Sequence, residues 1–213
     1  MTDTTCELSC RLAGLAAAAH PGLRAGCRAI AAGDEFALTE TELAPMERSI
    51  ASVRRASGAA RILARSLLAD LGAPSGVELP RSESGAPRWP PGYVGSLAHD
   101  EAFAVAVIAP SRLLRGVGVD VEPATPLPEE VLALVATSWE QKQLHGDLVA
   151  ARLLFCMKEA VYKTTHPVDG VFLAHGDVEI CLGTSIARTR SGHALRVHTA
   201  NRPRLLALAV LMP

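Results

Sequence analysis

Two carboxylates, Asp120 and Glu122, stand two residues apart in the apolar segment GVGVDVE. Side chains two positions apart in a β-strand lie on the same face, so both carboxylates point in one direction. Adjacent carboxylates repel each other unless a cation lies between them. By itself the pair is also typical of a polar strand end before Pro123, and this simpler interpretation is favoured unless a third partner exists.

The segment FCMKEAVYK supplies a candidate for that third partner. Glu159 and Lys163 are four residues apart and therefore share one helix face, with Arg152 about two turns earlier on nearly the same side. The same spacing occurs in ordinary surface ion pairs, so the segment alone decides nothing. If Glu159 faces the strand of Asp120 and Glu122, the three carboxylates form an oxygen-rich site suited to Mg²⁺, which implies a phosphate ligand.

Groups that could bind such a phosphate are His99 and a set of arginines. His99 ends the strand-like segment GYVGSLAHD, whose small residues allow a ligand to approach the backbone. A predicted helix upstream carries the basic residues Arg48, Arg54, Arg55, Arg61 and Arg65. Guanidinium groups on one face with a nearby imidazole bind a multiply charged phosphate ester, although a solvated basic face explains any single arginine equally well.

The overall composition excludes several classes of protein. With 213 residues, 49% of them hydrophobic and 20% charged, the chain is long enough for one large or two small globular domains. Its net charge of -1 gives no general attraction to nucleic acid or to an anionic membrane. Apolar runs such as 205–212 are too short to span a bilayer. Charged residues interrupt the amino-terminal apolar stretch, so we expect a cytoplasmic protein. The five cysteines are odd in number and lack CxxC pairing, so we expect free thiols.

The residues with candidate chemistry lie among elements that hydrophobic spacing predicts. Long helices are predicted over 46–71 and 147–165, the second ending before Pro167. Other helices are predicted over 12–19, 128–135 and 138–144, with the rest of the first 45 residues irregular. Strands are predicted over 93–97, 102–109 and 114–121 after the first long helix, and over 178–186, 194–199 and 204–211 after the second.

This order of elements predicts an α+β fold made of two similar halves, 1–122 and 123–213. Each half is expected to pack one long helix on a three-stranded antiparallel sheet.

Three sequence blocks together resemble the 4′-phosphopantetheinyl transferases of the surfactin/enterobactin type, nearest to their actinobacterial and enterobactin-synthase branch. The blocks are PRWPPGYVGSLAH, GVGVDVE and FCMKEAVYK, which occur in the family's order within residues 87–163. The resemblance implies a pseudo-twofold monomer that binds coenzyme A between its halves. It also implies transfer of the 4′-phosphopantetheine arm to a serine of an apo acyl, peptidyl or polyketide carrier protein, with release of adenosine 3′,5′-bisphosphate.

The resemblance also implies a role for individual residues. Asp120, Glu122 and Glu159 would hold Mg²⁺, with Mn²⁺ as the alternative, and Glu159 or a water it orients would take the serine proton. The catalytic residues would be Glu159, Lys163 and Asp120, and Glu140 would help to orient metal-bound water. The residues implied for coenzyme A are Arg54, Arg61, Arg88, Ser96, His99, Lys158 and Lys163. Arg112, Arg115 and the apolar segment 131–135 are the candidates for carrier-protein docking.

Two departures from the family pattern bear on the nucleotide pocket. The segment 55–61 lacks the acidic and aromatic residues of the family's first helix, and Ala98 replaces the usual serine or threonine before His99. We therefore expect Ala98→Ser to tighten coenzyme A binding. The departures favour the alternative of a non-catalytic carrier-protein or coenzyme A binding homologue. A Mg²⁺-dependent nucleotide hydrolase is a third hypothesis, and the complete carboxylate and lysine set favours the transferase.

Overall fold

The helices and strands of the chain form two groups, each with its own sheet. A computed structural model describes residues 2–213. The helices are α1 (Thr2–Ala19), α2 (Glu40–Leu43), α3 (Ala51–Asp70), α4 (Leu132–Val135), α5 (Ser138–Leu144) and α6 (Leu148–Asp169). Short 3-10 turns cover Asp34–Ala37, Ala44–Met46, Glu129–Val131 and His175–Asp177. The strands are β1 (Arg24–Ala29), β2 (Tyr93–His99), β3 (Phe103–Pro110), β4 (Gly116–Glu122), β5 (Val178–Cys181), β6 (Ile186–Thr189), β7 (Ala194–Ala200) and β8 (Leu205–Leu211).

Both sheets are antiparallel, and each is covered by a long helix. The first sheet has the order β1-β3-β2, and α3 packs across it. The second sheet has the order β4-β8-β7-β6-β5, and α6 packs on β4 and β8. Helix α1 contacts β1 of the first sheet and β7 and β8 of the second. The predicted α+β class, with one long helix for each sheet, is confirmed.

The membership of the sheets differs from the prediction. The second sheet has five strands instead of three. One additional strand is β4, which pairs with β8 and places Asp120 opposite Ala207. The other arises because a turn separates β5 from β6, where the sequence predicts one strand over 178–186. The first sheet still has three strands, since the unpredicted β1 pairs with β3. The predicted division after Glu122 assigns β4 to the first half, whereas β4 hydrogen-bonds to the second sheet.

Helix α3 lies very close to the Asp34–Ala37 turn, and Gly58 makes this approach feasible. A Cβ atom at Gly58 would overlap the Asp34 carbonyl oxygen, so this mid-helix glycine is explained by packing. An ion pair secures the same contact, with Arg55 Nε 3.1 Å from Glu35 Oε2. A second ion pair joins the turn to β1, with Arg28 Nη2 2.5 Å from Asp34 Oδ1. Part of the basic α3 face therefore has protein partners.

A buried carboxylate, Glu42, contacts both Arg61 and Arg65 of α3. It is fully buried, its Oε1 accepts a hydrogen bond from Leu79 N at 2.7 Å, and both its oxygens lie 2.6 Å from Arg65 Nη2. Arg61 Nε lies 3.6 Å from the same carboxylate. Burial opposes ionisation of Glu42, but the backbone hydrogen bonds and Arg65 prevail and lower its pKa. Glu42 thus helps to position Arg61, and it forms a buried ion pair with Arg65 that stabilises the fold.

Helices α1 and α6 both extend beyond their predicted limits. Helix α1 is longer than predicted because Leu8, Leu12 and Ala16 form a buried stripe at helical spacing. Helix α6 continues through Pro167 and ends at Gly170, whose φ of 69° and N–H bond to the His166 carbonyl close the helix. A proline this near the end disturbs only the last turns. None of the described helices combines the length and hydropathy needed to cross a membrane.

Candidate active site

The predicted face of α6 lies against β4. Lys163 Nζ donates to Asp120 Oδ1 at 2.7 Å, and Arg152 Nη1 donates to Glu122 Oε2 at 2.9 Å. Gly118 allows this packing, because a Cβ atom there would overlap the Ala160 carbonyl oxygen of α6. The strand face of Asp120 and Glu122 therefore meets the helix face of Arg152 and Lys163, a contact on which the magnesium hypothesis from the sequence depends.

Asp120 is the most buried carboxylate of this group. It is 6% exposed, and within residues 2–213 its Oδ2 is buried without a hydrogen-bond partner. The neighbouring Cys156 thiol lies 3.8 Å from the Leu205 carbonyl oxygen, and its weak hydrogen bond to the carboxylate is the smallest of the influences on the pKa of Asp120. Burial raises the pKa of Asp120 despite the opposing charge of Lys163. An unpartnered buried carboxylate oxygen is costly, so the chemistry of this position fits a cation.

The other two carboxylates have protein partners. Burial raises the pKa of Glu122, and its bond to Arg152 opposes this change. Glu159 Oε1 lies 3.1 Å from His175 Nε2, and this hydrogen bond is the main cause that lowers the pKa of Glu159. Within residues 2–213, no group of three His, Cys, Asp or Glu side chains is arranged closely enough to hold a metal ion without rearrangement. The charges still interact, since Glu159 raises the pKa of Asp120, and Asp120 raises that of Glu122.

Two adjoining cavities form a groove between α6 and α3, across β2. The first, about 290 Å³, contains Glu159 and Lys163 at one wall and Trp89 and Ser96 at the other. The second, about 120 Å³, contains the basic residues Arg61, Arg81 and His99. The two cavities share Gly85, Pro87 and Leu97. One end of the groove therefore carries a carboxylate and a lysine, and the other end carries three basic side chains.

The basic end combines one fixed arginine with two exposed side chains. Arg61 is 3% exposed and donates from Nε to the Leu79 carbonyl at 3.0 Å and from Nη1 to Ser57 Oγ at 2.5 Å. His99 lies at the groove rim, and its pKa is lowered first by desolvation and then by the charges on Lys163 and Arg81. Sequence reasoning missed Arg81, which lies in a Ser/Gly/Pro-rich loop without periodicity.

Of the residues that the resemblance implies for coenzyme A, Arg54 and Arg88 lie outside the groove lining, whereas Ser96 belongs to it. Arg54 donates from Nη1 to the Ser49 carbonyl at 2.6 Å, and neither Arg54 nor the exposed Arg88 belongs to the lining of the two cavities. Ser96 does line the groove, but its Oγ accepts a hydrogen bond from Val119 N at 3.1 Å, which joins β2 to β4.

The structure contradicts the coenzyme A contact that the resemblance implies for Lys158. Its side chain is 1% exposed, and Nζ donates to Glu140 Oε2 at 2.6 Å, to the Val135 carbonyl at 2.8 Å and to the His175 carbonyl at 2.9 Å. An ammonium group has three hydrogens, so none remains for a pyrophosphate. The structure assigns Lys158 to the interior, where burial lowers its pKa and Glu140 opposes this change.

Glu140 is an interior residue as well, which corrects its implied role beside metal-bound water. It is fully buried, and besides Lys158 it accepts hydrogen bonds from Thr137 N at 2.8 Å and Ile180 N at 2.8 Å. Thr137 Oγ1 in turn accepts from Glu140 N at 3.2 Å. The segment TSWE is thus a capping box for α5, a signal that was readable in the sequence.

Ala98→Ser is expected to destabilise the protein without improving coenzyme A binding. The Ala98 side chain is buried in the core with Leu8 and Leu12 of α1, so a hydroxyl there would not reach the groove. Burying an unpartnered hydroxyl costs about 1–3 kcal/mol of unfolding free energy. Urea unfolding and calorimetric titration with coenzyme A check this prediction. Tighter binding with unchanged stability would restore the expectation drawn from the sequence.

Comparisons with known proteins cover most of the chain. The model of the 4′-phosphopantetheinyl transferase N-terminal domain matches residues 40–109, and that of the 4′-phosphopantetheinyl transferase superfamily matches residues 116–207. The two models meet just before β4.

Three related proteins are each described as a 4′-phosphopantetheinyl transferase. The chain is 36% identical over 157 residues to Svp of Streptomyces mobaraensis, 38% over 149 residues to Npt of Nocardia iowensis, and 36% over 148 residues to PptT of Mycobacterium tuberculosis. These alignments cover 69%, 68% and 67% of this chain and 63%, 67% and 65% of the relatives' own lengths. The matched regions contain the helices and strands that build the groove, and the chain belongs to the 4′-phosphopantetheinyl transferase superfamily.

Proposed function

We propose that the protein transfers the 4′-phosphopantetheine arm of coenzyme A to a serine of an apo acyl, peptidyl or polyketide carrier protein. The observation that carries this proposal is the groove, which joins a basic end to an end with acidic and basic catalytic groups. Coenzyme A has two anionic parts, a 3′-phosphate and a pyrophosphate, which suit these two ends. Family membership supports the same reaction.

The residues present fit a divalent cation at the carboxylate end. Asp120, Glu122 and Glu159 would hold Mg²⁺, or Mn²⁺ in its place, and the unpartnered Asp120 Oδ2 supports this assignment. When bound, the cation would neutralise charge on the pyrophosphate and polarise a phosphoryl oxygen.

Glu159 and Lys163 would perform the proton and charge steps. The serine oxygen forms a bond to the β-phosphorus of the pyrophosphate, the bond from that phosphorus to the bridging oxygen breaks, and adenosine 3′,5′-bisphosphate leaves. The lowered pKa of Glu159 keeps it ionised at neutral pH, so it could accept the serine proton directly or through a water. The ammonium group of Lys163 carries its charge beside the carboxylates, because Asp120 raises its pKa although burial opposes this.

Intact-mass spectrometry of an apo carrier protein tests the proposal. Incubation with the protein, coenzyme A and Mg²⁺ should add one phosphopantetheine mass, and EDTA should prevent the addition. If carrier proteins of several types gain no mass while coenzyme A still binds, the alternative of a non-catalytic binding homologue is favoured.

The carrier-protein docking surface remains a prediction from the sequence. Arg112 and Arg115 are exposed, and within the predicted apolar segment Leu134 is 72% exposed. Trp139, 44% exposed, follows on α5. These side chains are accessible to a partner of the proposed kind.

Arg81→Gln is expected to weaken coenzyme A binding about tenfold. Loss of one exposed charge-assisted contact to a phosphate corresponds to the lower end of the usual range, ~1.5 kcal/mol. Arg88→Gln is the matched control, since Arg88 is an exposed arginine of the same loop outside the lining of both cavities. Calorimetric titration of each variant with coenzyme A checks the prediction. Equal losses in the two variants would show a general charge effect instead of a contact made by Arg81.

A further inference from the structure

We propose that His175 is the positioning residue for Glu159: its Nε2 donates a hydrogen bond to one carboxylate oxygen and holds Glu159 in the orientation that transfer requires. This inference rests on the proposed function and adds a residue that lies outside the three sequence blocks of the family. His175 follows Glu159 by 16 residues, in the 3-10 turn after α6. Sequence spacing gives no sign of the contact.

The direction of the hydrogen bond follows from the chemistry of the two groups. Nε2 of His175 and Oε1 of Glu159 are 3.1 Å apart. An ionised carboxylate has acceptors only, so the hydrogen must be on Nε2.

Three separate contacts fix His175 itself. Its ring packs against Phe155, with the ring centroids 5.3 Å apart, and its carbonyl accepts from Lys158 Nζ at 2.9 Å. The turn that carries it is closed by Asp177, whose Oδ2 accepts from Ala174 N at 3.0 Å. A residue whose ring, backbone carbonyl and turn are all held in place is suited to orienting a neighbouring carboxylate.

Glu159 needs such a partner because its side chain lies at the groove and is 28% exposed. Lys163, four residues further along α6, places an ammonium group in the same cavity lining. Without His175, Glu159 could turn to Lys163, which already donates to Asp120. The bond to His175 therefore keeps Glu159 and Lys163 separate, each in its own role.

The test replaces His175 by phenylalanine and by glutamine in the full chain. His175→Phe keeps a ring against Phe155 but removes the donor, and it should lower kcat about 10- to 100-fold and weaken Mn²⁺ binding to a similar degree. The KM for coenzyme A should change less than about twofold, since the bond orients a carboxylate and not the nucleotide. His175→Gln places an amide nitrogen near the position of Nε2 and should restore most of both losses. Mn²⁺ affinity is measured by calorimetry, with and without coenzyme A.

A second histidine that bonds a carboxylate of α6 provides the matched control. His193 Nε2 lies 2.9 Å from Asp169 Oδ2, outside the groove, and its side chain is 18% exposed. His193→Phe removes the same kind of bond and should change neither kcat nor Mn²⁺ affinity. Wild-type kcat and Mn²⁺ affinity in His175→Phe would overturn the inference, and so would equal losses in the phenylalanine and glutamine variants. If the unsubstituted protein transfers nothing, the proposed function fails, while the Mn²⁺ titration still decides the role of His175.

A spectroscopic measurement does not depend on the folding of any His175 variant. In the ¹⁵N spectrum of the histidine rings, His175 should carry its hydrogen on Nε2, and Glu159→Ala should shift that resonance. A His175 ring with its hydrogen on Nδ1 alone, or one that Glu159→Ala leaves unchanged, would overturn the inference.

Discussion

Glu159→Gln is expected to lower the rate of phosphopantetheine transfer by about two to four orders of magnitude, the usual contribution of a general base. Glutamine keeps the size of the side chain and an oxygen that can accept from His175. It removes the negative charge and the ability to take a proton, which are the two properties that the proposed mechanism uses. The side chain lies at the groove, 28% exposed, so the unfolding free energy should change by less than about 1 kcal/mol. A time course of carrier-protein mass, with urea unfolding of the same sample, measures both quantities.

Glu47→Gln is the control for this experiment. Glu47 is an exposed carboxylate just before α3 and outside the lining of both cavities, so its variant loses the same charge without touching the groove. Its transfer rate should stay within about twofold of the unsubstituted protein. Persistence of the full rate in Glu159→Gln would remove Glu159 as the proton acceptor. Equal losses in the two variants would point to net charge instead.

The side-chain faces of α6 and β4 were predictable because they depend on local periodicity. Two-residue spacing put Asp120 and Glu122 on one strand face, and four-residue spacing put Glu159 and Lys163 on one helix face. That these faces meet was only a condition in the sequence analysis, and the ion pair of Lys163 with Asp120 shows the contact in the structure. Periodicity also identified the two long helices, since their buried stripes extend over many residues.

Features that depend on distant parts of the chain were not predictable in this way. Strand β1, RAGCRA, has neither apolar alternation nor a hydrophobic run, and it is a strand because β3 offers it an edge. The pairing of β4 with β8 joins segments about 85 residues apart, which no local pattern specifies.

Carrying residue roles over by position met a different limit. A sequence position does not specify the direction of a side chain. Lys158 and Ala98 therefore received roles in the nucleotide pocket, although both point into the interior. The partners that decide this, Glu140 for Lys158 and Leu8 for Ala98, come from distant elements.

Lys158→Met should lower the unfolding free energy by about 3–5 kcal/mol, the usual cost of removing one partner of a buried ion pair. The substitution leaves the Glu140 carboxylate fully buried with two backbone donors, from Thr137 and Ile180, and without a counter-charge. It also leaves the Val135 and His175 carbonyls without the donor that joins them. Urea unfolding measures the loss. Coenzyme A affinity of the folded protein should stay unchanged, because Lys158 is not part of the groove lining.

The double variant Lys158→Met/Glu140→Gln separates an uncompensated charge from a lost packing contact. Since glutamine removes the buried charge and retains an acceptor for the Ile180 N–H, the double variant should recover a large part of the stability lost in Lys158→Met. A double variant as unstable as the sum of the two single variants would show that packing, and not charge, dominates. Wild-type stability in Lys158→Met, together with weakened coenzyme A binding, would instead support the pyrophosphate contact that family resemblance implies. The two outcomes differ because a lysine cannot give all three of its hydrogens to the interior and still bind a phosphate in the groove.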